Sequence, residues 1–275
     1  MNSNLHEDTV KSFGDEWARF DQTLLSDAEA VRIFDEYFAV FPWDRLPLKA
    51  TGFDMGCGSG RWAKLMAPRV GHLNCIDPSS AINVAIEALA SVDNVTFYCA
   101  SVDENPLSPC SQDFGYSLGV LHHVPDTASA VRDCVDLLKP GAPFLLYLYY
   151  AFDNRSLLFK LTWRCSDFLR RAVCNLPSNL KHIVTDVLAT LVYFPLARFS
   201  LLAECMGFKV DSIPLSYYRN HSFYTMRTDS RDRFGTSLEQ RFTRKEIAAM
   251  LSAAGLEDLR FSESAPYWCV VGIKR

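Results

Sequence analysis

The 275-residue chain is 49% hydrophobic and 22% charged, a composition that supports a sizeable buried core and excludes a disordered tail, a collagen and a coiled coil. Its 28 basic and 32 acidic side chains leave a formal charge of −4, which provides no electrostatic basis for binding a nucleic-acid backbone. We therefore expect no nucleic-acid partner.

Cellular location is predicted from the N-terminus, the cysteines and the longest apolar window. The first residues are acidic and polar, unlike a signal peptide, and the nine cysteines form no C-x-x-C pair, as expected of reduced thiols. The apolar window 183–202 is interrupted by Asp186, Pro195 and Arg198. We expect a cytoplasmic protein without a transmembrane segment and without a metal site.

Residues 1–45 contain two amphipathic stretches, at 16–23 and 28–41, which predict an N-terminal helical cap. From residue 46 to 150, short apolar runs alternate with helical patterns, which is typical of βαβ units on a parallel sheet. Five strands with crossovers favour an open, doubly wound α/β fold. In such sheets, ligands bind beyond the carboxyl ends of the strands.

Residues 151–242 follow the fifth strand and differ from the preceding pattern. Amphipathic stretches up to residue 206 predict a helical insertion, whereas 216–242 is rich in Tyr, Arg and His and shows little periodicity. In residues 243–275, Thr243 and Glu246 predict a capping box, and Gly255 predicts the end of that helix. Two strand-like runs then predict a β-hairpin that completes the sheet.

A glycine-rich loop stands between the first predicted strand and the first helix of the sheet. Gly56, Gly58 and Gly60 permit a tight turn and close approach of a ligand to the backbone. Asp77 ends the second strand, where a carboxylate can meet the two hydroxyls of a ribose. Glycines that serve only the turn remain the alternative.

These motifs resemble the class I S-adenosylmethionine-dependent methyltransferases, in FDMGCGSGRWA, NCIDPS, ASVDENPL, SLGVLHHVPD and LLKPGAPFLLY. The resemblance covers about residues 45–150 and implies a mostly parallel Rossmann-like sheet and S-adenosylmethionine as the cofactor. It also implies that an N-terminal aromatic residue, Trp17, covers the site. The cofactor-binding residues predicted in this way are Trp17, Asp54, Gly56, Cys57, Gly58, Gly60, Asp77, Pro78, Val102, Asp103, Leu118 and Gly119.

His122 and His123 follow the fourth strand, where an imidazole could remove a proton from an acceptor hydroxyl. The alternative is that either histidine only orders the loop. The aromatic residues Phe13, Trp17 and Tyr147 could line the site, or could pack as ordinary core side chains. The predicted substrate-binding residues are Tyr149, Tyr150, Tyr217, Arg219, Tyr224 and Arg227.

The function predicted is methyl transfer to an oxygen, or less readily to a nitrogen or carbon, of a small-molecule acceptor. One alternative is an NAD(P)-dependent oxidoreductase, although the third glycine stands one residue too early for a G-x-G-x-x-G motif. The other is a non-catalytic protein that binds S-adenosylmethionine. The basic, amphipathic insertion could bind acceptor, close over the site or touch a membrane peripherally; the oligomeric state stays open.

Overall fold

Seven strands form a single mixed sheet in the computed structural model, which describes residues 4–275. The strands are β1 Thr51–Met55, β2 His72–Ile76, β3 Val95–Tyr98, β4 Phe114–Leu118, β5 Pro143–Tyr147, β6 Leu256–Phe261 and β7 Cys269–Lys274. Their order is β3-β2-β1-β4-β5-β7-β6; β1 to β5 are parallel, and β7 runs antiparallel to both β5 and β6. The predicted doubly wound sheet with a C-terminal hairpin is confirmed.

Ten α-helices accompany the sheet in the part of the chain that the structure describes. They are α1 Glu7–Arg19, α2 Asp27–Tyr37, α3 Arg61–Met66, α4 Ala81–Ala88, α5 Thr127–Leu137, α6 Leu157–Val173, α7 Ser178–Leu188, α8 Phe194–Cys205, α9 Phe223–Gly235 and α10 Arg244–Ala253. The capping box at the start of α10 is present, and Gly255 has a φ of 93° after its end.

The chain forms two compact units. The core unit contains the chain up to Asp21, Ala30–Ala151 and Leu238–Arg275, and the helical unit contains Gln22–Glu29 and Phe152–Ser237. The helical unit thus ends at Ser237, whereas the sequence grouped residues 151–242 as a helical insertion with a Tyr-, Arg- and His-rich stretch after it. The five residues between these two positions belong to the core unit.

The core unit buries both faces of the sheet, which explains why its parallel strands are nearly continuous apolar runs. On one face Phe53 and Phe144 pack with Val131 of α5 and Ile247 of α10. On the other face Phe114 lies in a second cluster with residues of α2, α3 and α4. The carboxyl ends of β1, β2 and β4 therefore stand on a rigid, fully packed support.

The helical unit confirms the predicted helical character of the insertion but corrects two details. Helix α9 lies within the stretch that the sequence described as aperiodic. Its buried face is mostly polar, with Thr225, Thr228, Ser230 and Arg231 beside a single buried Met226, so no apolar period marks the helix. Pro195 does not interrupt its helix, since it stands in the first turn of α8 after a π-helical segment at Ala189–Tyr193.

The N-terminal helices also differ from their predicted bounds. Helix α1 begins at Glu7, after His6 has accepted a hydrogen bond from the Thr9 amide, and it ends before Phe20. Its buried positions include Thr9, Ser12, Gly14 and Glu16 rather than large apolar side chains, so the amphipathic pattern at 16–23 captured only its last turn and the loop that follows.

Candidate functional site

The loop between β1 and α3 depends on backbone conformations that favour glycine. Gly56, Gly58 and Gly60 have φ values of 81°, 53° and 77°, in the left-handed region. A Cβ atom on Gly56 would lie 2.4 Å from a methyl carbon of Val120, and one on Gly58 would lie 3.1 Å from Nε1 of Trp17. The loop therefore needs glycine both for its course and for the room around it.

Backbone hydrogen bonds hold this loop against the end of β2. The amides of Gly56 and Cys57 donate to the Ile76 carbonyl at 2.7 and 3.1 Å. The Gly58 amide donates to Oδ2 of Asp77 at 2.9 Å. The glycine loop and the acidic residue that the sequence paired with it are in direct contact.

Asp77 is buried, and burial raises the pKa of its carboxyl group, although hydrogen bonds from Ser79 and from the Gly58 amide oppose that shift. Its Oδ1 atom accepts from the Ser79 amide at 2.8 Å and from the Ser79 hydroxyl at 2.6 Å. A carboxylate has about four acceptor positions, of which three are used here. One position remains for a ligand hydroxyl.

A second buried carboxyl group, that of Asp54, lies one residue before the end of β1, beside the loop. It accepts a hydrogen bond from the Tyr116 hydroxyl at 2.9 Å. Burial raises the pKa of Asp54 to about 8; the Tyr116 hydrogen bond opposes this shift, and the charge of Asp77 adds to it. At neutral pH Asp54 is therefore largely protonated in the folded protein.

Helix α1 brings two aromatic side chains to this end of the sheet. Trp17 lies against the glycine loop at Gly58, and the guanidinium of Arg61 lies 5.7 Å from the Trp17 ring. Phe13 meets the His123 ring edge to face at 5.0 Å. Both residues that the sequence singled out in this segment thus stand beside predicted site residues.

The remaining residues expected around the cofactor lie near the ends of the same strands. Val102 is buried in the core, and the carboxylate of Asp103 accepts from the Asn4 amide at 2.8 Å. Leu118 ends β4, and Gly119 follows it with a φ of 79° and donates to the Tyr147 carbonyl at 3.0 Å. Cys57 is buried within the loop, and Pro78, which is half-buried, follows Asp77.

Two serines extend this set. The hydroxyl oxygens of Ser59 and Ser101 are buried, and neither finds a hydrogen-bonding partner within residues 4–275. Ser59 was visible in the sequence as part of the glycine motif, whereas Ser101 carried no signal beyond its place before Val102. A glycine-lined loop with buried carboxyls and unsatisfied hydroxyls fits a ligand with an amino-acid end and a ribose.

The adjacent histidines differ in the ring nitrogen that each can offer. His122 is fully buried, and its Nδ1 atom accepts from the Tyr149 amide at 3.4 Å, so its proton belongs on Nε2. Burial, with the nearby charges of His123 and Arg241, lowers the pKa of His122 well below its usual value.

In His123 the roles of the nitrogens are reversed. Its Nδ1 atom lies 2.6 Å from the Leu238 carbonyl, which can only accept, so Nδ1 carries the proton in the neutral ring. Nε2 then holds the lone pair that a general base requires. Nε2 of His122 is therefore a hydrogen-bond donor, whereas Nε2 of His123 is an acceptor.

The segment that fixes His123 lies at the end of the Tyr-, Arg- and His-rich stretch 216–242, and the sequence showed no sign of this role. The Gln240 amide donates to the His122 carbonyl at 3.0 Å, and the Phe242 amide donates to the Tyr149 carbonyl at 2.9 Å. The Arg241 guanidinium lies 5.0 Å from the Tyr149 ring. The sequence of this segment shows no strand-like alternation, because the segment meets the residues that follow β5 through an isolated bridge between Tyr150 and Phe242.

Tyr149 and Tyr150 belong to the core unit, and four other predicted substrate residues belong to the helical unit. Tyr149 stacks on His122 with ring centroids 3.9 Å apart. Within the helical unit, Arg219 and Arg227 form paired hydrogen bonds with single carboxylates. Those bonds join Arg219 to Glu204 at 2.8 Å and Arg227 to Asp186 at 2.9 Å.

Tyr224 and Tyr217 also have local partners in the helical unit. The Tyr224 hydroxyl accepts from the Gln22 amide at 2.9 Å, and the Tyr217 ring lies 4.6 Å from that of His221. Their substrate-binding role stays a prediction. Within residues 4–275 no group of three or more metal-ligating side chains is found.

Comparisons with known proteins point to methyltransferases. A family model described as a methyltransferase domain matches residues 53–146. The ubiquinone biosynthesis O-methyltransferase of Marinobacter nauticus is 30% identical over 164 residues, covering 53% of this chain and 68% of that protein. The protein of the same name from Serratia proteamaculans is 33% identical over 109 residues, covering 38% and 44%. The chain therefore spans about two thirds of the first relative and less than half of the second.

Two solved structures share the fold at low sequence identity. The YcgJ protein of Bacillus subtilis is 15% identical with a TM-score of 0.53, covering 87% of this chain and 98% of that one. A solved chain from Bacillus halodurans is 15% identical with a TM-score of 0.52, covering 83% and 71%.

Proposed function

This chain belongs to the class I S-adenosylmethionine-dependent methyltransferase family, and we propose that it methylates a hydroxyl oxygen of a small-molecule acceptor, with His123 as the general base. The observation that carries the proposal is the hydrogen bond from Nδ1 of His123 to the Leu238 carbonyl, which leaves Nε2 as the basic nitrogen. The relatives from Marinobacter and Serratia are named O-methyltransferases, which supports oxygen as the methylated atom.

On the cofactor side, we assign the glycine loop to the amino-acid end of S-adenosylmethionine and Asp77 to the ribose. The Gly58 amide already bonds to Asp77, and Asp77 retains one acceptor position beside the loop. Trp17 lies over Gly58, where an electron-rich ring suits a sulfonium. Val102 and Asp103 are proposed for the adenine, as the family resemblance implies.

The bound cofactor supplies a methyl carbon that a sulfonium has activated. Beside that carbon, this chain would align the acceptor hydroxyl and would accept its proton on Nε2 of His123 as the oxygen takes up the methyl group. The Leu238 carbonyl stabilises the Nδ1 proton and keeps the ring in one orientation. His122 positions the neighbouring backbone through Tyr149 and takes no proton from the acceptor.

For the acceptor, we propose contact with the end of β5, where Tyr149 and Tyr150 follow the strand. The arginines and tyrosines of the helical unit remain candidates from the sequence alone, and their local ion pairs favour a structural role. The nine free cysteines suit a reducing cytoplasm, which is the location we propose.

Incubation of the protein with methyl-deuterated S-adenosylmethionine and matched panels of phenols, alcohols and amines tests the proposal by mass spectrometry. Deuterated methyl ethers are expected from hydroxyl acceptors. Methylated amines without any ether would overturn oxygen as the target. Binding of S-adenosylhomocysteine without turnover of any acceptor would favour a non-catalytic role instead.

A further inference from the structure

Helix α6 of the helical unit exposes an apolar stripe. Leu157, Leu161, Cys165 and Phe168 recur at helical spacing and are all exposed, with Leu157 84% and Phe168 80% accessible. The opposite side of the helix, which includes Val173, packs into the unit, and α6 contacts α9. Burial of such side chains is favourable, so an exposed stripe of this length indicates a surface that binds a partner molecule or a membrane.

Cations flank this stripe along one edge. Lys160, Arg164 and Arg171 follow one another at spacings of four and seven residues, which places them on one side of the exposed face. The acidic residue of α6, Asp167, lies beyond these cations, farther from the apolar stripe, and forms ion pairs with Arg170 and Arg171. The exposed surface is therefore apolar at its centre and cationic at its margin.

The long helix, defined as Ser178–Cys205, shows the same outward distribution. Its exposed positions include Leu180, Ile183, Val187, Leu191 and Leu202, again at spacings of three and four residues with one longer step. Its buried positions are smaller or more polar, namely Thr185, Ala189, Tyr193, Ala197 and Ser200. The side of the helix that faces solvent is thus more apolar than the side that faces the protein.

By length and composition, the long helix could cross a membrane, which the sequence had argued against. Its inner side, however, is hydrogen-bonded to α9. Nε and Nη2 of Arg227 each donate to the Asp186 carboxylate at 2.9 Å, and the Ser230 hydroxyl donates to the Thr185 carbonyl at 2.9 Å. A spanning helix would carry this ion pair into hydrocarbon. A helix that lies in the interface keeps it within the protein.

We infer that the exposed faces of α6 and the long helix bind the surface of an anionic phospholipid bilayer. The apolar side chains enter the boundary between headgroups and acyl chains, and the cationic margin of α6 pairs with the anionic headgroups. A second copy of this chain offers the same cationic margin rather than its complement, which is why we commit to lipid. This inference is independent of the reaction proposed for the core unit.

Sedimentation of the full chain with vesicles tests this inference. Binding is expected to vesicles of phosphatidylglycerol and phosphatidylcholine, to be weaker with phosphatidylcholine alone and to fall as salt rises. The double variant Leu161→Ser, Phe168→Ser should lose at least about tenfold in bound fraction, given roughly 0.8 kcal/mol for each buried CH₂ and therefore a larger loss for the two side chains together. The double variant Lys160→Gln, Arg164→Gln should lose roughly fivefold for each cation, on anionic vesicles only.

Leu48→Ser is the matched control, because Leu48 is fully exposed but lies in the core unit. It should pellet with vesicles like the unchanged protein. Retained S-adenosylhomocysteine binding in every variant shows that the fold survives. The inference is overturned if the unchanged chain does not pellet with anionic vesicles, or if Leu48→Ser weakens binding as much as the α6 variant. A dimer in solution that Phe168→Ser dissociates, without vesicle binding, would identify the face as a contact between copies.

Discussion

Both units bury polar side chains, but they differ in where they place their apolar ones. The core unit hides its apolar strands and also buries Asp54, Asp77 and His122 at one end of the sheet. The helical unit buries Arg231 and the hydroxyls of α9, and exposes leucines and phenylalanines on its outer helices. Buried polar groups cost free energy unless they are paired, so those of the core unit indicate a site; exposed apolar stripes indicate a surface for another partner.

The largest effect is expected from the base that we assign to the core unit. His123→Ala should lower turnover by roughly 10²- to 10⁴-fold, because no side chain then removes the proton from the hydroxyl that is methylated. His122→Ala should lower turnover by about tenfold or less, since its basic nitrogen is occupied by the Tyr149 amide. Steady-state kinetics with isothermal titration of S-adenosylhomocysteine separates chemistry from binding; equal losses in the two variants would reject the assignment.

The next effect concerns the glycine loop. Gly56→Ala should weaken S-adenosylhomocysteine binding by roughly a hundredfold, because a Cβ there meets Val120 and the φ of 81° is strained for alanine. Gly141→Ala is the matched control, with a φ of 82° and open space around its Cβ. It should cost stability without changing affinity. Equal affinity in both variants would remove the loop from the cofactor site.

The buried carboxyl group of Asp54 predicts a pH dependence of stability. Its folded pKa of about 8 lies above the ordinary 3.8, so between these values the folded state keeps a proton that the unfolded chain has released. Stability should therefore fall as pH rises through this window, by up to about 1.4 kcal/mol for each pH unit, and level off above it. Chemical denaturation across this range should show the slope, and Asp54→Asn should flatten it.

The smallest effect distinguishes a structural role of Arg227 in the helical unit from a substrate-binding role. Arg227→Ala should lower the unfolding free energy by about 1 kcal/mol through loss of its half-buried pair with Asp186, and should leave the KM for acceptor unchanged. Thermal unfolding and steady-state kinetics measure the two quantities. A tenfold rise in KM with unchanged stability would instead support the substrate role that the sequence predicted for Arg227.

The sequence predicted features that depend on neighbouring residues. The strand-turn-helix glycine motif, the capping box at Thr243 and the alternation of strands and helices all arise from local periodicity and turn chemistry. Helix α9 was missed for the same reason, because its buried face is mostly polar and so has no apolar period. Its order comes from hydrogen bonds and ion pairs with α7, such as Arg227 with Asp186.

The sequence by itself determined the fold class, the family and the position of the glycine loop, because these follow from patterns a few residues long. Tertiary structure alone decided which histidine offers a basic nitrogen, since the Leu238 carbonyl that selects the His123 tautomer is 115 residues away along the chain. It also decided which side of the insertion helices faces water. Periodicity shows that a helix has two faces, whereas only the packing partners determine which face is covered.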